Sequence, residues 1–372
     1  MKSASIHPLN GWPAGAGMGM GMGMSGGKGK KGGKKGPPKA AATGKLFCKA
    51  PPDDLVLQYR AEADAAGELT PDELAAWGAA SRLVVDEALP RTGAVLLRGL
   101  PMRSAEDFSH FWKGHLSTAP ALVEGRYNSL GPSGGRDKMS GIDMATNVPP
   151  QFLLLCHNEM CYNPKTIERI ALYCIQDARE GGESLIARNS DLNKNLPANV
   201  ATFIKDHGGI KYQREFFDAR NPPKATLTGG GGAKGSWQDK CSLPQDAGRD
   251  EATAFFKEMG FTDGDMVWDD EGVLTLSNHH PGFITDPETG EEVWWNIVHT
   301  GSLVTGDGTP FPKKMVQEIQ KNGWAHTYAF KLKPGDWLVC DNLRVQHGRL
   351  PFSPEGPKRV LLTVYSGPTP SC

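Results

Sequence analysis

The spacing of apolar positions divides the chain into a short helical part and a longer part built of strands. Thr70-Pro71-Asp72-Glu73 matches a capping box with proline at the first helical position. The apolar run Leu74, Trp77, Leu83 and Val84 that follows predicts an amphipathic helix. A buried strand at 93–100 (GAVLLRGL) and a second helix from Ser104 to Leu116 come next.

From about residue 120 onward, short apolar runs are separated by Gly, Pro, Asn and Asp, a texture typical of strands bounded by turns. Two helices are predicted to interrupt the strands, over Leu192–Asp206 and Arg249–Met259. This pattern predicts a mainly β fold with flanking helices, either a β-barrel or a two-sheet jelly roll, rather than alternating βαβ units. The predicted strands are Phe152–Leu155, Arg169–Ile175, Ser184–Ala187, Gly272–Ser277, Trp294–Val298, Ala329–Leu332, Trp337–Cys340 and Val360–Tyr365.

The N-terminal segment has a different composition, because residues 13–45 are dominated by Gly, Met, Ala, Pro and Lys. Such a segment has too little apolar surface to offset the entropy of ordering the chain. We therefore predict a disordered tail over residues 1–45 and a single domain over 46–372. A polyanion-binding or organelle-targeting role for the lysine-rich tail is the alternative, although the absence of Arg before Arg60 is unlike a transit peptide.

Overall charge and cysteine content narrow the class of protein. Lys and Arg total 41 against 42 Asp and Glu, so the whole chain is not drawn electrostatically to nucleic acid, and only the lysine-rich tail is a candidate for such contacts. The seven cysteines form no C-x-x-C pair, which argues against a disulfide framework or a zinc knuckle. With no apolar run long enough for a membrane span, we expect a cytoplasmic protein acting on a small molecule. The sequence leaves its oligomeric state open.

The candidate chemistry lies at the end of one predicted strand. Side chains alternate faces along a strand, so His157 and Glu159 point to one side and Asn158 to the other. An imidazole and a carboxylate from one strand end need a distant histidine to complete a 2-His-1-carboxylate triad for Fe(II). His347 is the best candidate, in an exposed polar segment that follows the strand ending at Cys340.

Two other classes of protein fit these residues. The H-x-E pattern is short, and taken alone it is more often an ordinary surface or core pair than a metal site. A zinc hydrolase could use the same three ligands, although H-x-E lacks the helical spacing of H-E-x-x-H. A non-catalytic jelly-roll binding module is the third reading.

The sequence around these residues resembles the taurine dioxygenase-like (TauD/TfdA) family, and its glutamate ligand resembles the clavaminate synthase-like branch. The resemblance covers roughly residues 90 to 367 and implies a double-stranded β-helix (jelly roll) that uses Fe(II), 2-oxoglutarate and O2. It implies His157, Glu159 and His347 as metal ligands and catalytic residues. The segments that carry it are His157-Asn158-Glu159-Met160-Cys161-Tyr162 with Pro164, Gly181-Gly182-Glu183-Ser184, Ser236-Trp237-Gln238, Pro287-Glu288-Thr289-Gly290, Trp294-Trp295-Asn296, Asp341-Asn342, His347-Gly348-Arg349 and Lys358-Arg359.

The same resemblance implies two cosubstrate-binding residues. 2-Oxoglutarate needs a cation for the carboxylate farthest from the metal, and a guanidinium is a planar, permanently charged, bidentate partner. Arg359 follows His347 by 12 residues and begins a strand in which Arg359, Leu361, Thr363 and Tyr365 share a face. Ser184 stands where the family has a Thr or Ser hydroxyl that assists that carboxylate.

Departures from the family constrain the substrate and the reaction. Thr363 stands where taurine dioxygenase has an arginine for the sulfonate, which disfavours taurine. Glu159 fills the position that related halogenases leave open for halide, which favours hydroxylation, desaturation or ring closure over halogenation. The clavaminate synthase-like resemblance implies an amino acid or related amine as substrate. Polar residues before the metal strand that could reach it are Arg126, Tyr127, Arg136 and Asp143.

Overall fold

The computed structural model describes residues 4–9, 49–63, 68–116, 137–146, 148–223, 235–286, 289–300 and 303–368. Its helices are α1 (Pro71–Thr92), α2 (Ala105–Leu116), α3 (Asn189–Lys194), α4 (Ala198–Asp206), α5 (Trp237–Cys241), α6 (Arg249–Glu258) and α7 (Lys313–Ala325). Its strands are β1 (Ala4–Leu9), β2 (Val56–Ala63), β3 (Ala94–Arg98), β4 (Lys138–Met139), β5 (Ile142–Met144), β6 (Leu154–His157), β7 (Ile167–Gln176), β8 (Ser184–Arg188), β9 (Ile210–Phe216), β10 (Met266–Trp268), β11 (Leu274–His280), β12 (Phe283–Thr285), β13 (Glu292–Trp294), β14 (Val304–Thr305), β15 (Tyr328–Phe330), β16 (Trp337–Asp341), β17 (Val345–Arg349) and β18 (Val360–Pro368).

Two sheets face each other across a shared apolar interior. The large sheet has the order β1-β2-β3-β16-β7-β18-β5-β4 and the small one the order β15-β8-β17-β6. Their inner faces meet in one hydrophobic cluster, in which Leu338 and Leu361 of the large sheet pack with Ile186 and Val345 of the small sheet. Because consecutive strands of the second half alternate between the sheets, this is the double-stranded β-helix that the sequence predicts.

The outer faces of both sheets are also covered. Helices α1 and α2 pack on the large sheet through a second cluster that includes Trp77, Phe108 and Trp337. On the small sheet, a third cluster joins Leu185 and Ala187 to α3, α4, α6 and α7 and to a separate sheet of order β10-β11-β9-β14. The outer faces of both sheets of the barrel are therefore packed against other elements. None of the helices described has the length and apolar character needed to cross a membrane.

Most predicted elements are present, with the boundaries moved by one to a few residues. The predicted capping box is confirmed: the Glu73 backbone donates to Thr70 Oγ1, and the Thr70 backbone donates to Glu73 Oε2. Leu83 was wrongly assigned to the apolar face, because its side chain is exposed. All five described cysteines are free thiols: Cys156, Cys161, Cys174, Cys241 and Cys340.

Three predictions about elements were wrong. The single helix over Leu192–Asp206 is two helices, because Pro197 lacks the N–H that a helix interior needs and begins α4 as its N-cap. The strand over Trp294–Val298 is not formed, since β13 ends at Trp294. The segment around His347 is the buried strand β17, not an exposed polar segment.

The predicted disordered tail is wrong for Ala4–Leu9, which forms β1 and pairs antiparallel with β2 over six residues. The pairing places Ile6 opposite Ala61, beside the cluster beneath α1 and α2. The other residues of the predicted tail, 1–3 and 10–45, lie outside the described part of the chain. The division into a tail and one domain therefore stays a prediction.

Candidate metal centre and cosubstrate site

His157 and His347 lie directly opposite each other on neighbouring antiparallel strands. They are partners in the register of β6 and β17, and their ring centroids are 4.6 Å apart. The Nδ1 atom of His157 lies 2.8 Å from the backbone oxygen of Leu155. A donated hydrogen bond there fixes the tautomer and leaves Nε2 as the atom with a lone pair.

Glu159 completes the group from the first turn after β6. Its Oε2 atom is 3.4 Å from His347 Nε2 and 3.7 Å from His157 Nε2. The carboxylate is buried, whereas the His157 side chain keeps 29% of its exposure. The site is therefore closed on the side of Glu159 and open on the side of His157.

The spacing of these atoms suits one metal ion. Two ligand atoms at about 2.1 Å from a metal and at right angles lie about 3.0 Å apart. The two separations between Glu159 Oε2 and the histidine nitrogens exceed that value by roughly half an ångström, which small side-chain rotations can reduce. Within the described residues, these three are the group of potential ligands whose donor atoms approach one another closely enough, all within 4.8 Å. Two imidazoles and one carboxylate on one face are the donor set of non-haem Fe(II) oxygenases.

Two buried asparagines hold the metal-site backbone in place. The Asn342 amide accepts from the Glu159 backbone N–H at 2.7 Å and donates to the Glu159 carbonyl at 2.9 Å. Asn158 points away from the site, as alternation predicts, and donates to the backbone oxygens of Asn342 at 2.6 Å and Val345 at 3.2 Å. Gln346 in turn donates to Asn158 Oδ1 at 3.1 Å. The turn carrying Glu159 and the segment leading to His347 are thus cross-linked by side-chain amides.

Sequence reasoning placed Asn342 only within a resembling segment and gave it no role. The sequence feature that could have identified Asn342 is its place as a polar residue between the apolar strand ending at Cys340 and the predicted ligand His347. An asparagine that is 0% exposed must have its donors and acceptors satisfied, and here the backbone of Glu159 satisfies them.

Arg359 and Ser184 meet inside the barrel, one from each sheet. Arg359 immediately precedes β18, and its Nη2 atom donates to the Ser184 hydroxyl at 2.8 Å. The guanidinium is buried, and its Nε atom has no hydrogen-bond partner among the described residues. Its nearest carboxylate, Asp177, is 4.0 Å from Nε and lies 3.1 Å from Lys331. Burial lowers the pKa of Arg359, which means that this cation is short of compensating charge.

A second buried arginine, Arg349, was not assigned a role by sequence reasoning. Its guanidinium donates to the carbonyls of Val148, Pro149 and Phe152, in the segment that leads into β6. It also lies over the Phe352 ring at 4.9 Å. Burial, and next the charge of Arg359, lower the pKa of Arg349 to about 10. Arg349 therefore ties β17 to the segment entering the metal strand.

The inner face of the large sheet carries two further polar groups, Thr363 and Asp143. Thr363 is buried, and its hydroxyl has no partner among the described residues. Asp143 is its cross-strand partner on β5, so the two side chains share a face. Ala145, two residues beyond Asp143, packs into the interior cluster, which identifies that face as the inner one. The other polar candidates before the metal strand, Arg126, Tyr127 and Arg136, lie outside the described residues.

Three further buried histidines are not brought into the triad. Burial lowers the pKa of His115 and of His299 to about 3, and that of His280 to about 4. All three are therefore neutral at physiological pH. His299 is close enough to His157 for the charge of His157 to lower its pKa further.

A comparison with protein-family models gives one match, to "Taurine catabolism dioxygenase TauD, TfdA family", over residues 54–365. That range contains both sheets of the barrel except β1 and the last residues of β18, together with all five predicted site residues.

Two curated proteins are similar to this chain. A clavaminate synthase-like protein of Arabidopsis thaliana is 25% identical over 297 residues, covering 75% of this chain and 83% of the relative. The dapdiamide synthesis protein DdaC of Enterobacter agglomerans is 25% identical over 303 residues, covering 75% and 84%. Among solved structures, a taurine dioxygenase from Burkholderia xenovorans has 15% identity and a TM-score of 0.45, with 86% of this chain and 88% of that chain covered.

Proposed function

Because the chain belongs to the TauD, TfdA family of taurine catabolism dioxygenases, we propose that His157, Glu159 and His347 hold its iron and that Arg359 and Ser184 bind its cosubstrate. The chain is a non-haem iron dioxygenase that uses 2-oxoglutarate and acts on a small molecule. Membership of this family argues against the two alternative classes, a zinc hydrolase and a non-catalytic binding module. The observation that carries the residue assignment is the convergence of two imidazoles and one carboxylate within 4.8 Å inside the barrel.

When bound, Fe(II) and 2-oxoglutarate activate O2, so that the substrate is oxidised while the cosubstrate becomes succinate and CO2. The side chains of the protein position the metal, the cosubstrate and the substrate. Glu159 would supply a negative ligand beside the two neutral imidazoles of His157 and His347, a donor set that leaves room at the metal for cosubstrate and oxygen. The backbone hydrogen bonds from Asn342 keep Glu159 from turning away.

Arg359 supplies the charge that 2-oxoglutarate needs at its far end. Its buried guanidinium has an N–H without a partner in the described chain, and Ser184 adds a hydroxyl beside it. A dianionic cosubstrate would satisfy the guanidinium in a site shielded from water, where a charged hydrogen bond is strong.

For the substrate, we propose an amino acid or related amine that is hydroxylated. The inner-face position of Asp143 supports this assignment, because its carboxylate, which also lies 3.9 Å from the exposed Lys138 ammonium, attracts an ammonium group and repels a sulfonate beside Thr363. An arginine at position 363 would instead favour a substrate with an anionic group at this place. The sequence similarity to a clavaminate synthase-like protein agrees with a small amine-bearing substrate.

Charge-transfer spectroscopy tests the metal and cosubstrate sites together. Anaerobic addition of Fe(II) and 2-oxoglutarate should give a visible metal-to-ligand band, and His157→Ala and His347→Ala should each abolish it. His279→Ala is the matched control, since His279 is exposed on β11. A full band in either triad variant would remove that histidine from the metal site.

A further inference from the structure

An apolar cavity lies behind the two strands that carry the proposed metal-binding histidines. Cys156 of β6, Ala187 of β8 and Gln346 of β17 form its buried side. Gly323 and Trp324 of α7 form the opposite side and are half-buried. The cavity therefore extends from near the protein surface to the outer face of the small sheet.

Three residues of the cavity wall are close neighbours of the histidines in the chain. Cys156 immediately precedes His157 on β6. Gln346 stands in the same relation to His347 on β17, so by alternation both cavity residues point to the side opposite the histidines. Leu155 also lines the cavity, and its backbone oxygen lies 2.8 Å from His157 Nδ1. Since β6 is the last strand in the order of the small sheet, the cavity reaches the sheet edge at which His157 lies.

The size of the cavity limits its occupant to a very small molecule. Its volume is about 30 Å³, and a cavity needs roughly 10–15 Å³ to hold one water-sized molecule. It therefore admits a molecule of about two heavy atoms, but not an amino acid or an aromatic ring. This size excludes the proposed primary substrate as the occupant.

The wall of the cavity offers little to a water molecule. Leu192, Trp294 and Ile319 are among its apolar side chains. Among the described residues of the wall, His299 Nε2 is the one buried side-chain polar atom without a hydrogen-bond partner. A buried water makes about three hydrogen bonds, so the cavity favours an apolar occupant. The polar side chains of the wall that already donate to oxygen atoms of the protein, at 2.7–3.1 Å, are Gln320, Asn322, Thr327 and Gln346.

A glycine of α7 keeps this volume open. A Cβ atom placed on Gly323 would meet nothing within 4 Å outside the backbone of its own helix. Glycine is unfavourable inside a helix, because it has more conformational freedom to lose on folding than other residues. Gly78 and Gly114 have a packing reason to be glycine, since a Cβ on either would overlap the backbone of the facing helix. Gly323 has no such reason, and its missing side chain leaves room in the cavity.

A packing defect would account for the volume of the cavity but not for its surroundings. A side chain at position 323 would remove both the unfavourable glycine and the unfilled space. The position of the cavity against both histidine strands connects it instead with the reaction. Of the cosubstrates of a 2-oxoglutarate dioxygenase, O2 is the apolar one and matches this size, whereas 2-oxoglutarate is a dianion.

We propose that the cavity holds O2 and supplies it to the metal centre around the edge of β6. The inference goes beyond the proposed function and rests on it only for the position of the metal. An apolar cavity beside the metal raises the local concentration of O2 above that in water, because apolar solutes partition out of water. Gly323 thus sets how well the enzyme uses O2 and takes no part in the chemistry.

Krypton is the probe for occupancy, because it is an apolar atom close in size to O2 and is located by its anomalous X-ray scattering. Crystals of metal-free protein are pressurised with krypton and frozen. Wild type should show krypton between Ala187 and Gly323, and Gly323→Leu should exclude it. Ala325→Leu is the matched control, because Ala325 is exposed two residues further along α7. A wild-type cavity without krypton would overturn the inference.

Turnover at varied O2 concentration tests whether the occupant is used. Gly323→Leu should lower kcat/KM for O2 by about fourfold, equivalent to about 0.8 kcal/mol, the transfer free energy of a group the size of a methylene. The KM for 2-oxoglutarate and the anaerobic charge-transfer band should not change. Ala325→Leu should match wild type in all three measurements.

Gly323→Met, with a more flexible side chain, is the second variant should leucine unfold α7. A variant that excludes krypton but keeps the wild-type kcat/KM for O2 would contradict the supply of O2 from the cavity. Equal losses for O2 and 2-oxoglutarate would contradict it too, because they indicate general damage to the site. A missing charge-transfer band in wild type contradicts the proposed metal site instead, and the krypton result does not depend on the metal, so the failures are distinguished.

Discussion

The side-chain amide of Asn342 closes two hydrogen bonds on the backbone of Glu159, accepting from its N–H at 2.7 Å and donating to its carbonyl at 2.9 Å. The two residues are 183 positions apart in sequence. Asn342 also donates to the backbone oxygen of Ile167 at 3.1 Å, at the start of β7. One fully buried amide thus joins the turn that carries Glu159 to the strand that follows it and to the segment that leads to His347.

We predict that Asn342→Ala lowers iron affinity about 10–100-fold, as loss of an outer partner of a metal ligand does. It leaves buried backbone groups of Glu159 unpaired, so the free energy of unfolding should also fall by about 1–3 kcal/mol. Iron titration and denaturant unfolding measure the two effects. Asn195→Ala is the control, because the Asn195 amide is exposed and bonds only within its own helix turn. A folded Asn342→Ala protein with unchanged iron affinity would show that Glu159 is positioned without it.

The parts of this site that follow local rules were predictable from sequence. Alternation predicted that His157 and Glu159 point to one side and Asn158 to the other, and they do so although β6 ends at His157 and Glu159 lies in the turn that follows. The same rule predicted a shared face for Arg359 and Thr363, but Arg359 lies before β18, next to a register shift between Val360 and Leu361. The direct pairing of His157 with His347 was not predictable, because register between strands so distant in sequence depends on the whole sheet. The burial of the segment at His347 was not predictable either, because Gln346 and Arg349 belong to residue types that are mostly exposed and the burial follows from pairing with β6 and β8.

Strand β9 and the stack of its Arg214 on Tyr162 could not be predicted from the sequence for a similar reason. The sequence of β9, Ile-Lys-Tyr-Gln-Arg-Glu-Phe, alternates only weakly and was assigned to no strand. The stack of Arg214 on Tyr162 joins residues on separate elements, which periodicity does not detect.

The second prediction concerns Arg359 and Ser184, which we propose bind 2-oxoglutarate. Removing one partner of a buried charged pair costs roughly 2–5 kcal/mol, so Arg359→Ala should weaken 2-oxoglutarate binding by about 30-fold or more. Ser184→Ala removes a neutral hydroxyl worth about 1 kcal/mol and should weaken it by about fivefold. The titrated charge-transfer band gives both affinities. Arg249→Ala is the control, because Arg249 is exposed on α6 and donates to the Asp269 carbonyl. Unaltered affinity in Arg359→Ala would show that another cation holds the cosubstrate.

The third prediction concerns stability in acid. His115 is buried between Trp112 and Trp337, and burial, followed by the charge of Arg82, lowers its pKa to about 3. An unfolded histidine titrates near 6.5, so as the pH falls the unfolded state takes up the proton first. This contribution to stability is complete above about pH 6.5 and is lost progressively toward pH 3, at up to about 1.4 kcal/mol per pH unit.

Replacing His115 by Gln should therefore reduce the slope of unfolding free energy against pH between about pH 6 and about pH 4. Gln retains a polar group for Ser81, whose hydroxyl lies 3.1 Å from His115 Nδ1. Denaturant unfolding at a series of pH values measures the slope, with the exposed His279→Gln as the control. A variant with the wild-type slope would mean that His115 is protonated in the folded protein as readily as in the unfolded chain.

The last prediction concerns the product. Glu159 Oε2 lies 3.4 Å and 3.7 Å from the two histidine nitrogens, so in the proposed metal site its carboxylate would take the position that related halogenases leave to halide. Turnover in the presence of chloride should therefore give a substrate that has gained one oxygen atom or lost two hydrogens, and no chlorinated compound. Mass spectrometry under labelled O2 distinguishes these products, with amino acids, betaines, sulfonates and aromatic acids as the substrate panel.

Glu159→Asp keeps a carboxylate on a shorter side chain and should retain the oxygenated product at a reduced rate, whereas Glu159→Ala should lose iron affinity. A response confined to sulfonates or aromatic acids would contradict the amine-bearing substrate, because Asp143 would then face a group it repels, and a chlorinated product from wild type would show that Glu159 does not occupy the third ligand position.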